Sequence, residues 1–299
     1  MYDIKYSIIK FEIEFLKNSK LNINKHSAIR GIIGNTLINE NCLVDNDDRI
    51  CNECILKNKW LAYNIFSPKI ISISNNLEEN ISPFIIICDD KREFISNKDK
   101  LTFAMIFFGD TISYIPEIIR VVKIAGESLG LDNNLFKLKR VINDKNEDIY
   151  FEGISNYRRV NVRTIKEYIE NRLRISKDVS RIEIISPIRF KKNKRFNDDL
   201  VEQDIVNLVK RRLTTLAALE DRVITIDEKF DFKIKYKDLK WSEYNRYSNR
   251  QKSRMSLGGI VGYLDLEDVS EETKKLLIAG ELIHIGKSTS FGLGDYILY

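Results

Sequence analysis

The hydrophobic spacing of this 299-residue chain switches between period two and period 3.6 in one fixed order, then runs through that order again. Ile9, Phe11, Ile13 and Phe15 alternate with Lys10, Glu12 and Glu14, which predicts a half-buried strand. In "HSAIRGIIGNTLINE", Ile29, Ile32, Ile33 and Leu37 share one helical face, with Ser27 as the expected N-cap. Strand-like runs follow at 83–88 and 101–108, and Ile112, Ile115, Ile119, Val122, Gly126 and Leu129 then mark a helix. "FKLKRVIND" and "DIYFEG" read as a hairpin or one long final strand. The order is β-α-β-β-α-β, the pattern of a ferredoxin-like domain.

The second half repeats it. "RIEIISPIRF" is a strand in which Pro187 signals an edge or a bulge. Residues 199–220 form a helix carrying Val201, Ile205, Leu208, Val209, Leu213 and Leu216. Strands fit around 230–247 and 258–266, a helix fits 271–283, and "DYILY" closes the sheet. The expected fold class is therefore α+β, two tandem ferredoxin-like domains over 1–175 and 176–299. The first domain holds a cysteine-bearing insertion at about 41–60, and the linker falls somewhere in 153–180. Sheets of this kind often take single-stranded RNA on their open face or in the cleft between copies.

No apolar run approaches the ~20 residues of a membrane helix. "MYDIKYSIIKFEIEF" lacks the basic start and cleavage site of a signal peptide. Four cysteines without an export signal point to a reducing cytoplasm. The net charge of +5 is unevenly spread: Tyr157 to Arg195 carries thirteen Lys/Arg against four Asp/Glu, so the remainder sums to −4. A basic block in an otherwise slightly acidic chain is the footprint of a polyanionic partner, and a solvated charged linker is the plainer reading.

Two stretches carry the chemistry. In "HIGKSTSFGLGDYILY", Gly286, Gly292 and Gly294 surround Lys287, Ser288, Thr289 and Ser290. Glycines let the backbone approach a phosphate, and the cation and hydroxyls add donors. The spacing is not that of a Walker loop, and a tight helix cap followed by a bend would use the same letters. In "WSEYNRYSNRQKSRMSLGGIVG", Arg246, Arg250, Lys252 and Arg254 interleave with Trp241, Tyr244 and Tyr247. Cations seat phosphates while aromatic faces stack unpaired bases, although aromatics of a core would give the same pattern.

Together these stretches resemble the CRISPR-associated repeat-RNA endoribonucleases of the RAMP superfamily. The nearer likeness is to the subfamily whose C-terminal domain ends in "GE-L-H-GK-T-FGLG". The matching residues are Gly280, Glu281, Leu282, His284, Gly286, Lys287, Thr289, Phe291, Gly292, Leu293 and Gly294. "W…R-S-RQ…M-LGG-G" is matched by Trp241, Tyr247, Ser248, Arg250, Gln251, Met255, Leu257, Gly258, Gly259 and Gly262, and "SAIRGIIGNTL" is similar to "SALRG-FG-AL".

The resemblance implies cleavage of precursor CRISPR RNA within each repeat without a metal. The ribose 2′-OH attacks the adjacent phosphate, leaving a 2′,3′-cyclic phosphate and a 5′-OH. Such a reaction needs a base, an acid and positive charge for the phosphorane. His26, at the start of the first helix where the wider family carries its histidine, is the expected general acid/base. Lys25 or Arg30 would steady the phosphorane, and His284 is the rival catalyst or the residue that orders the glycine loop. That loop and the 241–254 segment would hold RNA.

No cofactor is expected for catalysis. Cys42, Cys51 and Cys54 give C-x8-C-x2-C, and Leu61 stands where the subfamily tends to have a fourth cysteine. A structural zinc needs four ligands, so those three cysteines would be its ligands only in an incomplete site. The partners implied are CRISPR repeat RNA, effector-complex subunits and a second copy of the chain; a crRNA-binding scaffold that does not cut is the alternative function.

Overall fold

The computed structural model describes residues 1–42, 61–66, 69–72, 78–176, 178–243, 245–248 and 253–299. The chain divides into two compact units, Tyr6–Val162 on the one hand and Met1–Lys5 with Arg163–Tyr299 on the other.

In the N-terminal unit, strand β1 (Lys5–Phe15) leads to helix α1 (His26–Asn41). Strands β2 (Phe84–Ile87) and β3 (Lys100–Phe108), helix α2 (Ile115–Ser128) and strand β4 (Phe136–Asn143) complete the βαββαβ order. The sheet runs β4-β1-β3-β2, antiparallel throughout, and β4 continues into a hairpin with β5 (Asp148–Phe151). The alternation in β1 does what its period requires: Ile9, Phe11, Ile13 and Phe15 are buried, and the Phe11 ring stacks on Phe103 at 4.8 Å. Ile29, Ile33 and Leu37 of α1 and Ile115, Ile119 and Val122 of α2 close the core.

α1 begins at His26 with Lys25 at its N-cap, so Ser27 lies inside the first turn and does not cap it. The reason is local. Lys25 already has right-handed helical backbone angles, and its carbonyl accepts the Ile29 N–H at 2.9 Å.

The C-terminal unit repeats the order with β6 (Arg181–Ile188), α4 (Glu202–Ala217), β7 (Lys233–Ser242), β8 (Gly259–Glu267), α5 (Glu271–Ile283) and β9 (Tyr296–Leu298). A further helix, α3 (Ile165–Ile175), precedes β6. The sheet order β7-β8-β6-β9 matches that of the first unit when each is numbered from its own first strand. Both halves are therefore ferredoxin-like domains.

The division falls at 162/163 instead of the expected 175/176, and Ile165–Ile175 within the stretch read as a linker form α3. A Thr164–Glu167 capping box starts this helix. Arg172 anchors it by donating to the Leu298 carbonyl at 2.6 Å and pairing with Glu281 at 3.3 Å. The first residues join the same unit, Ile165 and Lys166 donating to the carbonyls of Ile4 and Tyr2. The strand expected over 230–247 stops at Ser242, and 245–248 pairs instead with 253–256 as a separate hairpin.

Candidate functional site

Each unit carries one of the two histidines. In the N-terminal unit the turn before α1 is held by Lys25, whose ammonium is fully buried. It donates to the carbonyls of Asp90 and Arg92 at 2.8 Å each and approaches that of Ile23 at 3.5 Å. Burial lowers its pKa, with Cys88 and Asp90 pulling the other way. An ammonium so enclosed is a strut between α1 and the 90–92 turn, and its three donors already have acceptors. Lys25 is thus not placed to meet a phosphorane.

His26 is 8% exposed, and its Nε2 accepts the backbone N–H of Cys88 at 3.2 Å. Accepting that bond fixes the lone pair on Nε2 and the proton on Nδ1. Burial, then the charges of Lys91 and Lys25, push the imidazole down to about 4. It is neutral at pH 7, which suits a proton acceptor and not a proton donor. The Cys88 thiol is pushed up to about 11 by burial, so it is an inert neighbour. The Arg30 guanidinium lies 5.1 Å from the Phe66 ring centroid and keeps partial exposure.

The C-terminal site is built around a break in β6. Its pairing with β8 shifts register between Ile184 and Ile188, the bulge that Pro187 foreshadowed. There the Ser186 hydroxyl donates to the Gly292 carbonyl at 2.7 Å and accepts the Asp295 N–H at 2.9 Å. Pro187 accepts the Gly294 N–H at 3.1 Å, and the Arg189 carbonyl accepts the Lys287 N–H at 2.7 Å. The glycine loop therefore lies against the bulge backbone to backbone. Gly286 and Gly294 have φ of +87° and +79°, and an added Cβ would stand 2.6 Å from the Arg189 oxygen and 1.8 Å from the Ile285 oxygen, respectively. Only glycine meets both conditions.

His284 is 2% exposed. Its Nδ1 lies 3.3 Å from the Leu293 carbonyl and its Nε2 3.4 Å from Asp295 Oδ1. Its backbone, at φ 52° and ψ 150°, is in a region that side chains rarely occupy, a strain of order 1–3 kcal/mol. The imidazole, at one end of the loop, thus meets Leu293 and Asp295 at the other. Of the loop's donors, Thr289 and Ser290 are buried, Ser288 is half-buried, and Lys287 alone is exposed.

Trp241 is 37% exposed, with its Nε1–H donated to Glu243 at 2.8 Å. Arg246, Tyr247 and Arg254 belong to the 245–248/253–256 hairpin, of which only the backbone pairing is described. Tyr244, Arg250 and Lys252 lie outside the described residues, as do Cys51 and Cys54. Cys42, a free thiol, follows α1 at its C-cap. No helix of the described residues is long and apolar enough to cross a membrane.

The family model of the CRISPR-associated endoribonuclease Cas6 matches residues 182–296, and a model described as an N-terminal domain matches 4–163. Over its C-terminal domain this chain is similar to the Cas6 family. Among solved structures, a chain of a partial Cas6-RT-Cas1–Cas2 complex is similar at 15% identity and a TM-score of 0.60. The match covers 100% of this chain and 46% of that one, so this chain spans less than half the length of that relative. A Cas6 product complex (13%, TM-score 0.55) is covered over 98% of this chain and 100% of its own. Thermus thermophilus Cas6 (12%, TM-score 0.53) is covered over 99% of each chain. At these identities the likeness speaks for the fold. No curated protein sequence matches.

In the domain that matches the Cas6 model, the residue that sequence reasoning passed over is Arg189. Its carbonyl receives the glycine loop, and its Nη1 donates to the carbonyls of Gly258 at 2.9 Å and Ser256 at 3.3 Å. One residue thus ties the bulge, the glycine loop and the "LGG" segment together. Burial lowers its pKa, with Glu243 opposing. Arg212, buried on α4, likewise donates to the Ile283 carbonyl at 3.2 Å, at the end of α5 beside His284. Burial pushes its guanidinium down to about 9. The one available signal for Arg189 was its place two residues after a proline in a strand.

Proposed function

We propose that this chain is an endoribonuclease of the Cas6 family that cuts precursor CRISPR RNA within its repeats, without a metal. The 2′-oxygen forms a bond to the adjacent phosphorus, the bond from phosphorus to the 5′-oxygen breaks, and the products are a 2′,3′-cyclic phosphate and a 5′-OH. The observation that supports this most is the glycine loop of the matched family domain, pinned to the β6 bulge with Lys287 exposed at its crest. A close backbone beside an exposed lysine suits a sugar-phosphate strand.

His26 is the proton acceptor in this reading. Being neutral, it takes the 2′-OH proton on Nε2 once that atom is released by the Cys88 N–H. Arg30 supplies positive charge, and His284 holds the loop. The departing 5′-oxygen takes a proton from water, and His26, whose pKa lies near 4, returns the 2′-OH proton to the hydroxide so formed, which restores the neutral imidazole.

A specific observation favours the second reading, a Cas6-type protein that holds repeat RNA without cutting it. Nε2 of His26 and both nitrogens of His284 already face protein partners. Single-turnover incubation with host repeat RNA in EDTA separates the two. Cleavage of the all-ribose transcript, with none of a transcript 2′-deoxy at the cut, is expected. Tight binding with no cut establishes the second reading, and equal cleavage of both transcripts overturns the mechanism. His26→Ala should slow the cut by roughly 10²–10⁴-fold.

A further inference from the structure

Between β6 and α4 the chain makes a short hairpin in which Lys191–Lys192 pairs with Arg195–Phe196. All six residues from Lys191 to Phe196 are exposed. The register sets Lys192 directly opposite Arg195, and like charges in that position destabilise a two-stranded ribbon. The tip is equally costly. Asn193 and Lys194 have φ of 52° and 66°, the two left-handed residues of a tight hairpin turn. Asparagine accepts that geometry and glycine is the usual second residue, yet a lysine stands there under strain.

The remaining cations are seated on an aromatic floor. The Arg189 guanidinium lies 3.7 Å from the Phe196 ring centroid, and the Lys191 ammonium lies 5.0 Å from it. Lys192 alone has a carboxylate, that of Asp204 at 3.2 Å. Among the described residues, Lys191, Lys194 and Arg195 have no acidic partner within salt-bridge distance. A ribbon that concentrates repulsion and strain at its exposed end is stabilised when a polyanion lies across it.

We propose that the 191–196 hairpin is a second RNA-binding element, gripping phosphates of the strand beyond those held by the glycine loop and reading no base. It is continuous with that loop through Arg189, whose carbonyl holds Lys287 and whose side chain holds Phe196. The inference rests on the RNA-processing reading above and adds where, and by what chemistry, further substrate is held. Lacking base-edge donors in a fixed frame, the hairpin contributes affinity without sequence preference.

The test compares the full chain with its Lys191→Gln/Lys194→Gln/Arg195→Gln variant, by equilibrium binding across a salt series. The two RNAs are host repeat RNA and an unrelated single strand of equal length. Three lost phosphate contacts should lower the slope of log K against log salt by about 2, at ~0.7 per contact on a single strand. The same fold loss is expected for both RNAs. An unchanged slope, or a loss confined to the repeat, overturns the proposal. Failure of the unmodified chain to bind either RNA would instead overturn the RNA-processing reading itself. Lys192→Gln, which removes a cation already paired with Asp204, should change the slope by less than half a unit; a larger change would mean that Asp204 does not occupy it, and the assignment of the three phosphate-binding side chains falls.

Discussion

Burial of His26 makes the folded protein release a proton that the unfolded chain holds. An ordinary imidazole titrates at 6.5, and in the fold this one titrates at about 4. Between those values the unfolded state is protonated at this site and the native state is not. The stability tied to neutral His26 is therefore complete above pH 6.5 and drains away as the pH falls toward 4. A difference of about 2.5 units at ~1.4 kcal/mol per unit gives roughly 3.5 kcal/mol over the whole window.

His26→Gln is the matching perturbation, since its amide oxygen can still accept the Cys88 N–H and carries no charge at any pH. Urea unfolding followed by ellipticity at pH 7.5 and 4.5 should cost the parent chain some 2–3 kcal/mol more than the variant. Because the chain has two histidines, NMR of the imidazole protons resolves the site directly, and its midpoint should lie near 4. A midpoint between 6 and 7, or an equal acid loss in parent and variant, would refute the burial argument.

Further outcomes follow from the same contacts. If neutral His26 accepts the 2′-OH proton, single-turnover cleavage should be flat from pH 8 down to about 5 and fall through pH 4; a rate that rises through pH 6.5 would identify a different base. Gly294→Ala places a Cβ on the Ile285 carbonyl at positive φ and should cost about 2–3 kcal/mol, read as a loss of roughly 5–10 °C in melting temperature together with lost RNA binding. Arg189→Lys keeps the charge but loses the planar fork that reaches Gly258, so repeat-RNA affinity should fall by about tenfold, measured by filter binding.

The architecture was legible because it is written in period. The alternation of Ile9 through Phe15 and the stripes of α2 and α4 give each element one apolar face. Each ferredoxin-like sheet then has few ways to bury those faces. Boundaries were less legible. Helix α3 was hidden in the charge of 157–195, because its exposed residues are mostly charged (Lys166, Glu167, Glu170, Arg174) while only Ile165 and Ile169 are buried. Ser27 looked like a cap by type, but the carbonyls that hold Lys25 lie about 65 residues away and decide where the helix begins. The glycine loop was visible from its letters, and the reason for those letters was not, since Gly286 and Gly294 answer to carbonyls on β6 and at Ile285. The chemistry of His26 was the least legible feature: its lowered pKa comes from burial and from Lys91, neither of which has a sequence signature.

The C-terminal domain is discontinuous along the chain: Met1–Lys5 belong with Arg163–Tyr299, and Tyr6–Val162 is an excursion between them. Docking the first few residues against α3 requires closing a loop of that length, whose entropy grows only logarithmically and is largely removed once the excursion has itself condensed. The N-terminal domain should thus act as a folding template in cis. Mutations that slow its collapse would delay the maturation of a glycine loop to which it contributes no residue.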